Sequence, residues 1–174
     1  MHDDTLRLFF ALSCPPGLAE RIGLWHDGLH LPGRPVPPAN LHLTLAFLGQ
    51  QPGSRLAELK GLAATVQSRA FELQLDRLVH RRNGLLYLAP SQPPAALLEL
   101  VEQLHEALLG GGFGLEARPF LAHLTLLRRC STRRPKARPT FDWPVDHFAL
   151  FASETGPSGS VYQQLQQWPL LRND

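Results

Sequence analysis

The sequence predicts an α+β fold with two lobes, in which two antiparallel sheets are flanked by helices and related by a pseudo-twofold axis. Three observations support this. Strand-like and helix-like apolar segments alternate irregularly. Asn83-Gly84, between two alternating segments, is typical of a β-hairpin. The tetrapeptide His-Leu-Thr-Leu occurs twice, at His42–Leu45 and His123–Leu126. We therefore expect two similar halves, each contributing one motif strand to a cleft between the lobes.

The first half of the chain predicts two strands and two helices. Thr5–Leu12 has the composition of a buried strand. The Pro15-Pro16 pair is well suited to begin a helix, which we expect to reach about Leu31. Pro32–Pro38 is rich in proline and predicts an extended loop leading into the first motif strand, which Gly49 and Pro52-Gly53 end. Ser54 can cap a second helix running to about Arg69.

The second half predicts further strands and one helix. Phe71–Val79 alternates between apolar and polar residues and predicts one strand, and Leu85–Ala89 is its return strand across the hairpin turn. A helix is expected from Pro93-Pro94 to about Leu109, ended by a run of three glycines. After the second motif strand, Arg128–Arg138 predicts an exposed basic loop. Two closing strands are expected, on either side of a turn at residues 156–159: Phe148–Ala152 and Val161–Leu165.

Composition and length indicate one ordinary globular domain. The chain has 174 residues, of which 44% are hydrophobic and 18% charged, and no linker separates independent parts. Residues 1–174 are therefore expected to form a single two-lobed domain. Lys60 and Lys136 are the only lysines among 17 basic residues. Arginine favours bidentate contacts with phosphate, but a GC-rich genome explains the excess equally well.

Two features predict a cytosolic protein. Cys14 and Cys130, the two cysteines, lie far apart and show no metal-type spacing, so we expect reduced thiols. The N-terminus has no signal-peptide pattern, and no apolar run approaches the ~20 residues that span a bilayer. We expect a monomer without membrane contact.

The repeated tetrapeptide carries the chemistry. Residues i and i+2 of a strand point to the same face, so His42 lies beside Thr44 and His123 beside Thr125, with leucines on the opposite face. Two imidazoles and two hydroxyls in one cleft can perform acid–base chemistry on an oxyanion such as phosphate. A single histidine in a strand is most often a half-buried structural residue, but the identical pair occurring twice favours function.

Paired His-x-Thr-x motifs about 80 residues apart resemble the two-histidine phosphoesterase superfamily. More closely, the chain resembles the LigT-like RNA 2′,3′-cyclic phosphodiesterase family. Four segments carry the resemblance: Arg7–Leu12, Asn40–Gly49, Phe120–Arg128 and the C-terminal Phe148–Trp168. The chain departs from the family pattern at Ala122, where proline is usual before the second histidine. The resemblance implies hydrolysis of RNA 2′,3′-cyclic phosphate ends to 2′-phosphates, and reversibility implies that the same site can run 2′-5′ ligation.

The resemblance also implies roles for single residues. His42 is then the general acid and His123 the general base, whereas the residues alone leave open which is which. Thr44 and Thr125 donate hydrogen bonds to phosphate oxygens, and no metal or cofactor is required.

Arg128 is the expected cation for the phosphate charge. It lies five residues after His123, however, an odd offset that puts it on the opposite face of a regular strand. It reaches the phosphate only if the strand ends, twists or bulges. Four aromatic residues are candidates for stacking on a base, although more of them are expected in the core: Phe9, Phe47, Trp168 and, as first choice, Tyr162.

Several alternatives stay open. The same machinery can act on a small cyclic nucleotide or on a cyclic phosphate of ADP-ribose. A non-catalytic RNA-binding protein is a second class, although binding alone does not need two imidazoles. A metallohydrolase is a third, but the sequence has no carboxylate–histidine cluster. Arg81-Arg82 and the basic loop can guide an RNA backbone, or they can form an ordinary solvated surface.

Overall fold

Two antiparallel sheets and three helices build the computed structural model, which describes residues 4–132, 136–157 and 159–172. The helices are α1 (Pro16–Asp27), α2 (Leu56–Ala64) and α3 (Ala95–Gly110). The strands are β1 (Thr5–Ser13), β2 (Arg34–Pro35), β3 (His42–Pro52), β4 (Phe71–Leu75), β5 (Arg77–His80), β6 (Leu86–Ala89), β7 (Leu124–Arg128), β8 (Phe141–Val145), β9 (His147–Gly156) and β10 (Gly159–Pro169).

The strand order of the large sheet is symmetric about its centre. The sheet runs β10-β9-β1-β3-β7-β6-β5, with β2 added alongside β7, and the small sheet is the pair β4-β8. β9-β1-β3 on one side corresponds to β5-β6-β7 on the other, and a helix joins β1 to β3 as another joins β6 to β7. The two motif strands meet at the centre through the single pair Leu43–Leu124. The predicted fold class is confirmed, and its halves share one sheet.

The leucines of both motifs anchor their strands in the core. Leu43, Leu45, Leu124 and Leu126 are at most 2% exposed and belong to the main apolar cluster, together with residues from all three helices and from the small sheet. Burying one leucine stabilises a fold by roughly 1.5–3 kcal/mol. Since the helices and the small sheet cover this face, the histidines and threonines are left on the opposite face of the large sheet.

The expectation of one strand over residues 71–79 is wrong. The chain turns at Asp76, so that β4 pairs with β8 in the small sheet whereas β5 pairs with β6 in the large sheet. The Asp76 carboxylate accepts hydrogen bonds from the Ser91 backbone N–H at 2.7 Å and from its hydroxyl at 2.5 Å. The buried positions change parity at this corner, from Phe71, Leu73 and Leu75 to Leu78. The consecutive polar residues Asp76 and Arg77 were the signal that the prediction overlooked.

Other boundaries also differ. α1 ends at Asp27 rather than Leu31, and α2 is shorter than the predicted helix because a 3₁₀ turn occupies Gly53–Arg55. The sequence predicted no element at β8, which contains Pro144, a residue that argues against a central strand but is tolerated in this two-stranded sheet. Of the predicted basic loop, Arg133 and Arg134 lie outside the described residues.

Candidate active site

A β-bulge follows the first motif. Thr44 pairs with Ala11 and Ala46 pairs with Phe10, so Leu45 has no partner in the β1–β3 register. Leu45 and Ala46 are consecutive buried residues, and Phe47 returns to the face that carries His42. The bulge therefore moves a residue at an odd offset from the histidine onto the functional face.

The second motif has the same bulge. Thr125 pairs with Tyr87 and Leu127 with Leu86, which leaves Leu126 unpaired in the β6–β7 register. Leu126 and Leu127 are both buried, and the exposed Arg128 lines the cavity that also contains His123. The strand therefore bulges between His123 and Arg128, which is one of the conditions under which Arg128 was expected to reach the phosphate. Arg128 and Phe47, each five residues after a motif histidine, occupy corresponding positions in the two halves.

The ring of His42 is fixed at both nitrogens. Nδ1 lies 2.7 Å from the Asn40 carbonyl oxygen, which requires an Nδ1–H donor. In the neutral ring, Nε2 therefore accepts from the Thr44 hydroxyl at 3.1 Å. Burial lowers the pKa of His42, the Asn40 hydrogen bond opposes this, and the neighbouring His123 and Arg128 lower the pKa further. These effects together favour the neutral imidazole of His42 at neutral pH.

His123 is held in the corresponding way. Its Nδ1 donates to the Leu121 carbonyl at 2.8 Å, again two residues before the histidine. The ring centroid of Tyr87 lies 5.2 Å from the ring of His123. Each histidine is thus anchored through Nδ1 to its own strand, and Nε2 is the nitrogen left for chemistry.

Aromatic rings form the wall next to His42. Ring centroids of Phe9 and Tyr162 lie 5.1 Å and 5.2 Å from that of His42, and 5.1 Å from each other. Phe9 is only 4% exposed and stacks on Phe151 at 5.4 Å, so it supports the histidine from behind. Tyr162 is half-buried and offers more surface to a ligand.

One cavity of about 580 Å³ brings together eight of the candidate residues: His42, Thr44, His123, Thr125, Arg128, Phe9, Phe47 and Tyr162. Trp168 does not line this cavity, since it is buried and stacks on Phe148 at 5.4 Å. Sequence reasoning missed other lining residues, among them Arg7, Arg34, Asn40, Ser153, Thr155 and Ser160. Arg7 stands two positions before Phe9 on β1, and its guanidinium lies 5.0 Å from the Phe47 ring. Its period-2 relation to Phe9 is a signal that could have found it.

Within residues 4–132, 136–157 and 159–172, no group of three or more histidine, cysteine or acidic side chains is placed to hold a metal ion. In the same part of the chain, no helix has the length and apolar character needed to cross a membrane. The Cys14 thiol is buried, and burial raises its pKa to about 12, which makes it a poor nucleophile.

A pseudo-symmetric sheet that brings a histidine and a threonine from each half into one cavity, beside an arginine, defines the class of two-histidine phosphoesterases. The chain belongs to the LigT like phosphoesterase family, whose model matches residues 12–87 and again residues 88–162. Each of the two matched segments contains one copy of the His-Leu-Thr-Leu motif.

Individual relatives agree with this assignment. A protein of Escherichia coli K12 named RNA 2′,3′-cyclic phosphodiesterase is 36% identical over 95% of this chain and 97% of its own length. A Thermus thermophilus protein of the same name is 34% identical over 79% of this chain and 75% of its own. The crystal structure of E. coli LigT complexed with 3′-AMP has a TM-score of 0.89 at 35% identity, covering 96% of this chain and 99% of that one.

Proposed function

We propose that this protein is a cyclic phosphodiesterase that opens RNA 2′,3′-cyclic phosphate ends to 2′-phosphomonoesters, with His42 and His123 as acid and base. One observation carries the proposal: two histidines from neighbouring strands line one cavity, each with Nδ1 bound to a backbone carbonyl. The shared name of relatives that match most of the chain supports the substrate class.

The reaction needs one proton removed and one supplied. A water oxygen attacks phosphorus while the bond from phosphorus to the ribose 3′ oxygen breaks. His123 Nε2 takes the proton from the water, and protonated His42 Nε2 gives its proton to the leaving oxygen. Burial and the neighbouring His123 and Arg128 lower the pKa of His42, and the negative charge of a bound phosphate acts in the opposite direction and favours the charged form.

Thr44 links the protonation of His42 to phosphate binding. When Nε2 is unprotonated, the Thr44 hydroxyl donates its only hydrogen to that nitrogen across the 3.1 Å contact. When Nε2 is protonated, it becomes the donor, and the Thr44 hydroxyl can turn its hydrogen towards a phosphate oxygen. Thr125 and Arg128 supply further donors for the charge that develops in the transition state.

The cavity can hold one nucleoside beside the phosphate. Its volume of about 580 Å³ lies within the usual range for small-molecule sites. Tyr162 is the ring best placed to contact the base. Reverse 2′-5′ ligation, a monomeric state and a cytosolic location stay predictions, as does action on smaller cyclic nucleotides.

The decisive experiment uses an oligonucleotide ending in a 2′,3′-cyclic phosphate, with the position of the product phosphate identified by ³¹P NMR. We expect a 2′-phosphate, and a 3′-phosphate would overturn the assignment of the leaving oxygen. His42→Ala and His123→Ala should each lower kcat by about 10²–10⁴-fold. His30→Asn is the matched control, because His30 is exposed at a positive φ that asparagine tolerates.

Excess EDTA should leave the rate unchanged, and loss of activity that added metal restores would favour a metallohydrolase instead.

A further inference from the structure

A second cavity opens from the same groove on the other side of His123. Its volume is about 930 Å³, and His123, Thr44 and Phe47 line it as well as the first cavity. A water molecule occupies only about 30 Å³ in the liquid, so the space is far larger than a hydrolytic water needs. Since the two cavities share three residues, a ligand can extend from the phosphate site into the second cavity without leaving the groove.

The second cavity combines apolar surface with positive charge. Leu115, Phe120 and Leu121 form an apolar part of the wall, and Leu121 is 51% exposed. The charged residues that line this cavity are three arginines, Arg81, Arg82 and Arg118, and one carboxylate, Glu116, so its lining carries a net positive charge. Apolar surface for a base and guanidinium groups for a phosphate are the features that single-stranded nucleic acid requires.

Tyr87 connects this charge to the reaction site. It is 3% exposed, its ring packs 5.2 Å from the His123 ring, and its hydroxyl accepts a hydrogen bond from Arg81 Nε at 3.1 Å. This hydrogen bond holds the Arg81 guanidinium next to the catalytic groove, although the Arg81 residue is exposed. Arg82 and Arg118 are also exposed and line the same cavity, but they lack the hydrogen bond to Tyr87 that Arg81 makes.

The pseudo-twofold arrangement makes the second cavity the counterpart of the first. Residues of β1, β9 and β10 line the cavity beside His42, and residues of β5 and β6 line the cavity beside His123. Phe47 lies where the two cavities meet, with the Arg7 guanidinium 5.0 Å from its ring. The groove thus offers two adjacent spaces, each with an aromatic ring beside a histidine and with arginines further out.

We propose that the second cavity is a subsite for a second nucleotide of the same RNA strand. This rests on the proposed function and deepens it: the substrate is a single-stranded RNA end of at least two nucleotides, rather than a mononucleotide. One nucleotide lies in each cavity, the strand passes over Phe47, and the arginines of the second cavity contact the phosphate that joins the two nucleotides.

The experiment compares kcat/KM for a mononucleoside 2′,3′-cyclic phosphate with that for a dinucleotide and a tetranucleotide carrying the same terminal nucleoside. We expect the dinucleotide to be preferred by at least about tenfold, the ratio that either one charge-assisted contact or one stacked base would give alone. The tetranucleotide should gain little more. In Arg82→Ala and Arg118→Ala, the ratio of the dinucleotide value to the mononucleotide value should fall towards one.

Salt gives an independent readout. The KM of the dinucleotide should rise with ionic strength more steeply than that of the mononucleotide, and the two arginine variants should remove part of this difference. Arg77→Ala is the matched control, because Arg77 is an exposed arginine on β5 outside both cavities. The control should keep the wild-type ratio and the wild-type salt dependence.

Three results would overturn the subsite. An equal kcat/KM for mononucleotide and dinucleotide would do so while leaving the proposed hydrolysis intact. The subsite is also overturned if Arg82→Ala and Arg118→Ala keep the wild-type ratio of dinucleotide to mononucleotide kcat/KM. It is likewise overturned if these variants change only the yield of products ligated to a second RNA strand. If neither substrate is hydrolysed by the wild type, the proposed function itself fails and the subsite with it.

Discussion

At the scale of single residues, the two threonines are the sharpest test of transition-state stabilisation. Thr44 and Thr125 are half-buried beside their histidines, and valine matches threonine in shape without the hydroxyl. Thr125→Val should lower kcat by about 10²-fold, the usual effect of losing one such donor. Thr125→Ser keeps the hydroxyl and should retain most of the activity. Equal activity of the valine and serine variants would remove the proposed role.

The pKa of His42 gives a pH-dependent prediction. A general acid must be protonated, so kcat/KM falls as pH rises through the pKa of His42 in the free enzyme. Because that pKa lies below its ordinary value, we expect this alkaline limb below about pH 6.5. Arg128 contributes to the lowering, so Arg128→Ala should move the limb to higher pH while also lowering the rate.

Arg128→Lys serves as the control, since it keeps a positive charge near His42. Its alkaline limb should stay near that of the wild type even if the loss of bidentate geometry reduces kcat. A limb that stays in place in Arg128→Ala would mean that another group controls it, or that His42 is the base.

The site residues could be predicted from the sequence where the spacing within a single strand determines which face a side chain occupies. The His-x-Thr alternation put both pairs on one face, and the tetrapeptide occurred twice, so a shared cavity could be inferred. Arg34 and Tyr87 were missed because their place in the groove depends on pairing between strands distant in sequence, whereas the spacing of Arg7 from Phe9 on one strand could have revealed Arg7. Tyr87 pairs with Thr125 only after α3 has returned the chain to the sheet.

At the scale of elements, the two bulges decide which residues face the groove. Each leaves a leucine carbonyl that needs a donor from outside its bulged strand. The Leu126 carbonyl accepts from the Val36 backbone N–H at 2.9 Å, whereas the Leu45 carbonyl accepts from His105 Nε2 on α3 at 2.9 Å. The donor to the leucine carbonyl is therefore a backbone N–H in one half and a side chain in the other.

His105 is consequently expected to hold the first bulge in place. His105→Leu should destabilise the fold by about 1–3 kcal/mol, because it leaves the Leu45 carbonyl without this donor. It should also lower kcat/KM, since the bulge positions Thr44 and Phe47. His105→Gln keeps an N–H donor and should restore part of both losses. Urea denaturation and kinetics measure the two effects, and an unchanged midpoint in His105→Leu would contradict the assignment.

The bulges also mark the limit of sequence reasoning about elements. Motif strands, the hairpin and α3 were recognisable because local patterns specify them. A bulge is set by register against the neighbouring strand, and two consecutive buried residues such as Leu45 and Ala46 do not by themselves reveal it. The corner at Asp76 is a different case, because the consecutive polar residues Asp76 and Arg77 interrupt the apolar alternation and could have revealed it.

At the scale of the whole molecule, the repeated motif reflects a repeated half. Each of the two segments that the family model matches contains one copy of the motif, and the strand order β9-β1-β3-β7-β6-β5 is symmetric about the pair β3-β7. The symmetry is broken where function needs it. Phe47 and Arg128 occupy corresponding positions, so one half presents an aromatic ring and the other a cation. Such a difference allows two like histidines to perform opposite tasks.

This architecture predicts that the halves unfold together. The large sheet is continuous through Leu43–Leu124, and the main apolar cluster draws residues from both halves. Tryptophan fluorescence and far-UV circular dichroism should therefore give one coincident urea transition, since coincidence of different probes is the test of cooperative unfolding. Leu43→Ala, at a position with 0% exposure, should move the transitions seen by both probes equally and lower the free energy of unfolding by about 2–5 kcal/mol.

Leu24→Ala, on α1, is the control and should change the midpoint little, because Leu24 is 67% exposed. Two separate transitions, or a Leu43→Ala shift seen by one probe alone, would show that the halves are independent domains and that the seam between the histidines is not cooperative.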